Sequence, residues 1–131
     1  MRALDTNVIV RFLVADDPEQ AAKVRSLFQE AEDHREKLFV SIAVILEAVR
    51  VLRAGYRVPR SAVLDAIEKL MGLSFLEFEA SERMKRWVIA VRQSHLDPAD
   101  LLIGQTAQDH GCTVTLTLDR KSARSELFEL L

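Results

Sequence analysis

Four carboxylates of this 131-residue chain stand among apolar residues, where a lone negative charge is unwelcome. Asp5 closes the run Met-Arg-Ala-Leu-Asp and is followed at once by Thr-Asn-Val-Ile-Val. Glu47 lies inside Val-Ile-Leu-Glu-Ala-Val, Asp100 precedes Leu-Leu-Ile-Gly, and Asp119 follows Thr-Val-Thr-Leu-Thr-Leu. A buried carboxylate costs several kcal/mol unless it is paired or bound to a metal. With few basic residues inside the same runs, the four point to one shared site filled by divalent cations through oxygen ligands.

Each carboxylate also has a plainer role open to it. Asp5 could cap the helix that follows, a task Thr6 could do instead. Glu47 could pair with Arg50 three positions on, and Arg53 would extend that charged stripe. Asp97, Pro98 and Asp100 together make a good helix start by local rules alone. Asp119 suits a turn before Arg120 and Lys121.

Other reactive groups are scarce. Cys112 is the single cysteine, which excludes an internal disulfide and a thiolate zinc cage. His34, His95 and His110 fall in polar stretches near helix ends, at spacings unsuited to zinc, and read as surface residues. There is no Gly-rich phosphate loop, no Gly-x-Ser-x-Gly elbow and no Cys/His pair. A reaction, if there is one, must rest on the metal.

The elements that position these residues alternate between short apolar runs and helical patterns, which predicts an α/β fold with a mostly parallel sheet. Strands are expected over 2–5, 38–40, 74–78, 113–118 and 128–131. Helices are expected over 7–15, 18–33, from Ser41 as N-cap to Gly55 as terminator, 61–71, 81–93, and from Asp97 to Gly111. The helix around Glu47 is apolar nearly all round and should be buried. No repeat, low-complexity stretch or linker appears, so one domain over 1–131 is expected.

Apolar residues make up 49%, enough for a packed core, and no run approaches the ~20 residues of a membrane span. The N-terminus lacks a signal-peptide pattern, and a reducing cytoplasm fits the cysteine usage. The formal net charge is −2, but setting the four carboxylates aside leaves +2. Arg50, Arg53, Arg57 and Arg60 form one basic string, Arg83, Lys85, Arg86 and Arg92 a second, and Arg120, Lys121 and Arg124 a third. Any of them could track phosphates, or be a solvated helix face.

Taken together, Leu-Asp-Thr-Asn-Val, Leu-Glu-Ala-Val-Arg-Val-Leu, Asp-Pro-Ala-Asp-Leu-Leu-Ile-Gly and Thr-Leu-Asp-Arg-Lys resemble the PIN-domain nucleases, most of all the VapC-type toxins of bacterial toxin–antitoxin pairs. The motifs occur in the family's order across nearly the whole chain. The resemblance implies a three-layer α/β/α sandwich with a central parallel sheet. It implies an endoribonuclease dependent on Mg2+ or Mn2+, a homodimer, and inhibition by a small cognate antitoxin. Carried over by residue, the acidic site falls on Asp5, Glu47, Asp100 and Asp119, with Asp5 and Asp100 as primary metal ligands. Thr6, Asn7 and Thr117 become the small polar neighbours that touch substrate or ligand, and Asp97 an outer residue of the metal site. Leu101 stands where a smaller residue is commoner and Leu118 where an aromatic is common. Two other readings stay open: a PIN-like module that binds RNA or protein without cleaving, and a magnesium-dependent phosphoryl-transfer domain with Asp5 as nucleophile.

Overall fold

Pro18 shows how closely local chemistry sets the elements of this chain. In the computed structural model, which describes residues 1–131, helix α2 spans Pro18–Asp33 with proline in its first turn. The Asp17 side chain accepts the Gln20 N–H at 3.0 Å, which satisfies one of the amides a helix start leaves open. The apolar positions 21, 24, 28 and 31 of α2 are buried at the expected helical spacing.

The chain folds as two compact units, Met1–Ser81 and Glu82–Leu131. In the first, β1 (Arg2–Ala3), β2 (Leu38–Val40) and β3 (Leu76–Phe78) form a parallel sheet in that order. Arg2 aligns with Leu38, and Leu38 with Leu76. Helices α1 (Thr6–Leu13), α2, α3 (Ile42–Arg50) and α4 (Arg60–Met71) complete the unit. Leu38, Val40, Ile45, Ile67 and Leu70 are buried, and Phe28 stacks tilted between Phe12 and Phe75 at 4.7 and 5.1 Å. Phe12 and Leu13 also line an apolar groove of about 500 Å³ with residues of α4 and with Leu73.

Helix α3 departs from expectation at its end. Ser41 does cap it, accepting the Val44 N–H at 3.2 Å, and the Glu79 carboxylate takes the Ile42 N–H at 3.0 Å. Gly55, however, is not a terminator in the left-handed region. It lies inside a π-helical turn, Val51–Gly55, and the left-handed residue that breaks the chain away is Arg57, with φ of 55°. The wider turn carries the chain one residue further before it can turn off.

In the second unit, α5 (Ser81–Arg92) buries Met84, Trp87, Val88 and Val91, and the Trp87 indole donates to the Pro98 carbonyl at 2.7 Å. Helix α6 (Pro98–Asp109) ends before Gly111, whose φ of 86° suits glycine. Strands β4 (Thr115–Thr117) and β5 (Phe128–Leu130) pair in parallel, joined by a 3₁₀ turn over Ser122–Arg124. Gly104 of α6 has no room for a side chain, since a Cβ there would sit 2.9 Å from that of Leu127. Strand pairing is parallel throughout and is divided between a three-stranded and a two-stranded ladder. No helix is long and apolar enough to cross a membrane.

Candidate acidic site

Asp97, Asp100 and Asp119 are brought into one electrostatic neighbourhood by the second unit. The Asp97 side chain caps α6, accepting the Ala99 N–H at 2.8 Å and, more loosely, the Asp100 N–H at 3.4 Å. Asp100 therefore sits on the first helical turn, partly buried, with Leu101 and Leu102 directed into the core. Asp119 follows β4, and its amide donates to the Thr117 hydroxyl at 3.0 Å. The turn then returns the Lys121 N–H to Asp119 Oδ1 at 3.1 Å.

A residue that sequence reasoning did not single out joins the two carboxylates. The Ser122 hydroxyl donates to Asp119 Oδ2 at 2.8 Å and reaches Asp100 Oδ2 at 3.4 Å. Ser122 is 2% exposed, the single polar side chain among the buried residues. The signal available beforehand was the Asp119-x-x-Ser122 spacing, which lets one tight turn carry the hydroxyl back onto the carboxylate.

The two carboxylates titrate in opposite directions. Burial pushes the Asp100 carboxyl above the ordinary 3.8, and the charges of Asp97 and Asp119 push it the same way, with Ser122 opposing. The hydrogen bond from Ser122 holds Asp119 below that value, helped by the Lys121 amide. The surroundings of Asp119 thus favour its charged form, and those of Asp100 oppose it.

The first unit holds the remaining members. Asp5 is the N-cap of α1, its Oδ1 accepting the Thr6 N–H at 2.8 Å. Asp5 and Asn7 are exposed and Thr6 is half-buried. Glu47 corrects an expectation: it is exposed, not buried. Arg50 Nε donates to its Oε2 at 3.1 Å and Arg50 Nη2 to its Oε1 at 2.5 Å, which lowers the Glu47 carboxyl from its usual range. Helix α3 buries only Ile45, Ala48 and Val49, so the residues between them, apolar or not, lie nearer solvent.

The three histidines and Cys112 are exposed, in keeping with a site made of carboxylate oxygens. Within neither unit do three carboxylate, imidazole or thiol groups close into a ready-made metal cage. The donor set in the second unit nevertheless suits a hard divalent cation. It offers two carboxylates turned toward one hydroxyl, and Asp100 lacks the positive partner that its burial calls for. Of the basic strings, Arg83 and Arg86 are engaged with Asp109, at 2.6 and 2.9 Å, whereas Arg120, Lys121 and Arg124 are exposed on either side of Ser122.

A family model described as PIN domain matches residues 2–126. The chain belongs to the PIN domain family. Its α/β architecture with parallel strands is the one expected for a PIN domain. The chain is also 34% identical over 71 residues to a protein named VapC ribonuclease from Aquifex aeolicus (strain VF5). That alignment takes in 54% of this PIN domain protein and 52% of the relative, so the chain spans about half the length of the relative it matches.

Proposed function

We propose that this PIN domain protein is a divalent-metal-dependent endoribonuclease, the toxin of a toxin–antitoxin pair, acting in the cytoplasm as one nuclease domain over residues 1–131. The observation that carries the reading is the Asp119–Ser122–Asp100 arrangement, in which one buried hydroxyl faces two carboxylates and burial raises the titration of one of them. The family, and a relative named as a ribonuclease, supply the reaction class.

PIN nucleases use divalent metal ions, and hard carboxylate donors favour Mg2+ or Mn2+ here. Asp5 and Asp100 are the primary holders of such an ion, with Glu47 and Asp119 completing the set or acting through water. When bound, the ion supplies a water of lowered pKa and a clamp on the scissile phosphate. Arg50 already occupies both oxygens of Glu47, which gives Glu47 the weaker share. Asp97 holds the first turn of α6 and with it the Asp100 backbone. The Thr117 hydroxyl steadies the Asp119 amide, while Thr6 and Asn7 would hydrogen-bond a ligand carboxylate or the phosphate. Arg120, Lys121 and Arg124 attract the RNA backbone.

Purified protein should release fragments from single-stranded RNA with Mg2+ or Mn2+ and stop when a chelator is added. Asp5→Asn and Asp100→Asn should each lower the rate by several orders of magnitude. Wild-type rates in either variant would overturn the assignment of that residue.

The same reading gives the chain two protein partners, a second copy and a small antitoxin that places a basic side chain among the carboxylates. The apolar surplus first read at Val8, Ile9, Phe12 and Leu13 is partly consumed by folding: Ile9 is fully buried, while Val8, Phe12 and Leu13 stay half-exposed. Light scattering on the purified chain should give the mass of a dimer, and a monomer at micromolar concentration would remove that partner.

A further inference from the structure

We infer that Ser122 is the positioning residue of the second unit's carboxylates: its buried hydroxyl fixes Asp119, with Asp100 alongside, in the orientation from which the pair holds a divalent cation. The inference rests on the metal-dependent reading above and adds to it a residue outside the acidic set. A serine on a surface turn ordinarily bonds water or its own backbone. This one is 2% exposed and directs its hydroxyl to two carboxylates, one of them 22 residues away on a different helix.

The geometry divides the work unequally. A hydroxyl has one proton, and the 2.8 Å contact assigns it to Asp119 Oδ2, with the 3.4 Å contact to Asp100 Oδ2 as the weaker share. Asp119 Oδ1 is taken by the Lys121 amide at 3.1 Å, so both oxygens of Asp119 are held and its plane is fixed. Asp100 Oδ2 lies 3.4 Å from the same hydroxyl, beside the carboxylate plane that Ser122 holds. A residue that merely filled space would serve as well without its oxygen. Groups that orient a metal ligand through a hydrogen bond typically change affinity about 10–100-fold when they are removed.

The test uses the full chain and Mn2+ alone, with free ion counted by electron paramagnetic resonance during titration. Ser122→Ala is expected to bind Mn2+ about 10–100-fold more weakly and to need correspondingly more Mn2+ for half-maximal RNA cleavage. Ser122→Thr, which keeps the hydroxyl, should restore most of the affinity. If Ser122→Ala binds Mn2+ like wild type while Asp100→Asn does not bind it, Ser122 only fills the core and the inference fails with the nuclease reading intact. If Asp100→Asn also binds like wild type, the metal reading itself fails and takes Ser122 with it. Should Ser122→Ala not fold, Ser122→Cys carries the same expectation, since it keeps the volume with a much weaker donor, and wild-type affinity in it refutes the inference equally.

Discussion

Asp100 is the residue at which stability and chemistry pull apart. Its folded carboxyl titrates above the ordinary value because of burial and then because of Asp97 and Asp119. The stability such a group contributes is fully present at low pH and is lost as pH rises through its folded pKa. In chelator at neutral pH, Asp100→Asn should therefore melt higher than wild type. The advantage should shrink as pH falls through that raised folded value and be gone below 3.8, where the Asp100 carboxyl is neutral in the folded and the unfolded chain alike. A role confined to starting α6 predicts the reverse, because a negative charge in a first helical turn is worth ~0.3–1 kcal/mol. Mn2+ should raise the melting temperature of wild type and leave the variant unmoved. A variant that melts lower and still answers to Mn2+ would reduce Asp100 to a helix-start residue. The motif carboxylates stood out in the sequence as charge among apolar residues, yet Asp5, Glu47 and Asp119 are exposed and only Asp100 is partly buried. Ser122 did not stand out, because a serine beside lysine and arginine looks like surface until the turn over 122–124 shows it buried.

The elements themselves were legible wherever local chemistry decides them. Pro18 and Asp17 begin α2, Ser41 begins α3, and Asp97 with Pro98 begins α6, each at the position their side chains dictate. The misreading of Glu47 has a plain physical cause: sequence gives the apolar face of a helix but not how much of it is covered. Helix α3 is apolar nearly all round and yet is covered on one side, which leaves Glu47 at the surface with Arg50. Helix ends that bend the chain through left-handed residues without glycine were equally hidden. After α2, the Glu36 amide bonds the Ala31 carbonyl at 2.9 Å across Arg35, whose φ is 53°. A side chain in that conformation costs roughly 1–2 kcal/mol that glycine avoids, less the greater freedom glycine loses on folding. Arg35→Gly should accordingly stabilise the protein by up to about 1 kcal/mol in urea unfolding, and a loss of stability would mean that the arginine makes compensating contacts.

The family match runs through both compact units, so the activity proposed here belongs to the chain as a whole and not to either unit. The two units nonetheless differ in how far apart along the chain their strands lie. Arg2 pairs 36 residues ahead with Leu38, and Leu38 pairs 38 ahead with Leu76, whereas Thr115 meets Phe128 after only 13. Closing a loop of 36 residues instead of 13 costs about 0.9 kcal/mol more chain entropy, and long-range pairing slows folding in proportion to that kind of cost. The β4–β5 ladder should therefore assemble ahead of the β1–β2–β3 ladder when the denatured chain is returned to native conditions. Pulsed hydrogen exchange during refolding would show the Thr115 and Leu131 amides protected before those of Leu4, Leu38 and Glu79, all of which bond across the ladders in the native state. Simultaneous protection would mean that a shared nucleus governs both. If the order holds, Asp119 and Ser122 are drawn together early in folding, while Asp5, placed just after β1, waits for the slower three-stranded ladder.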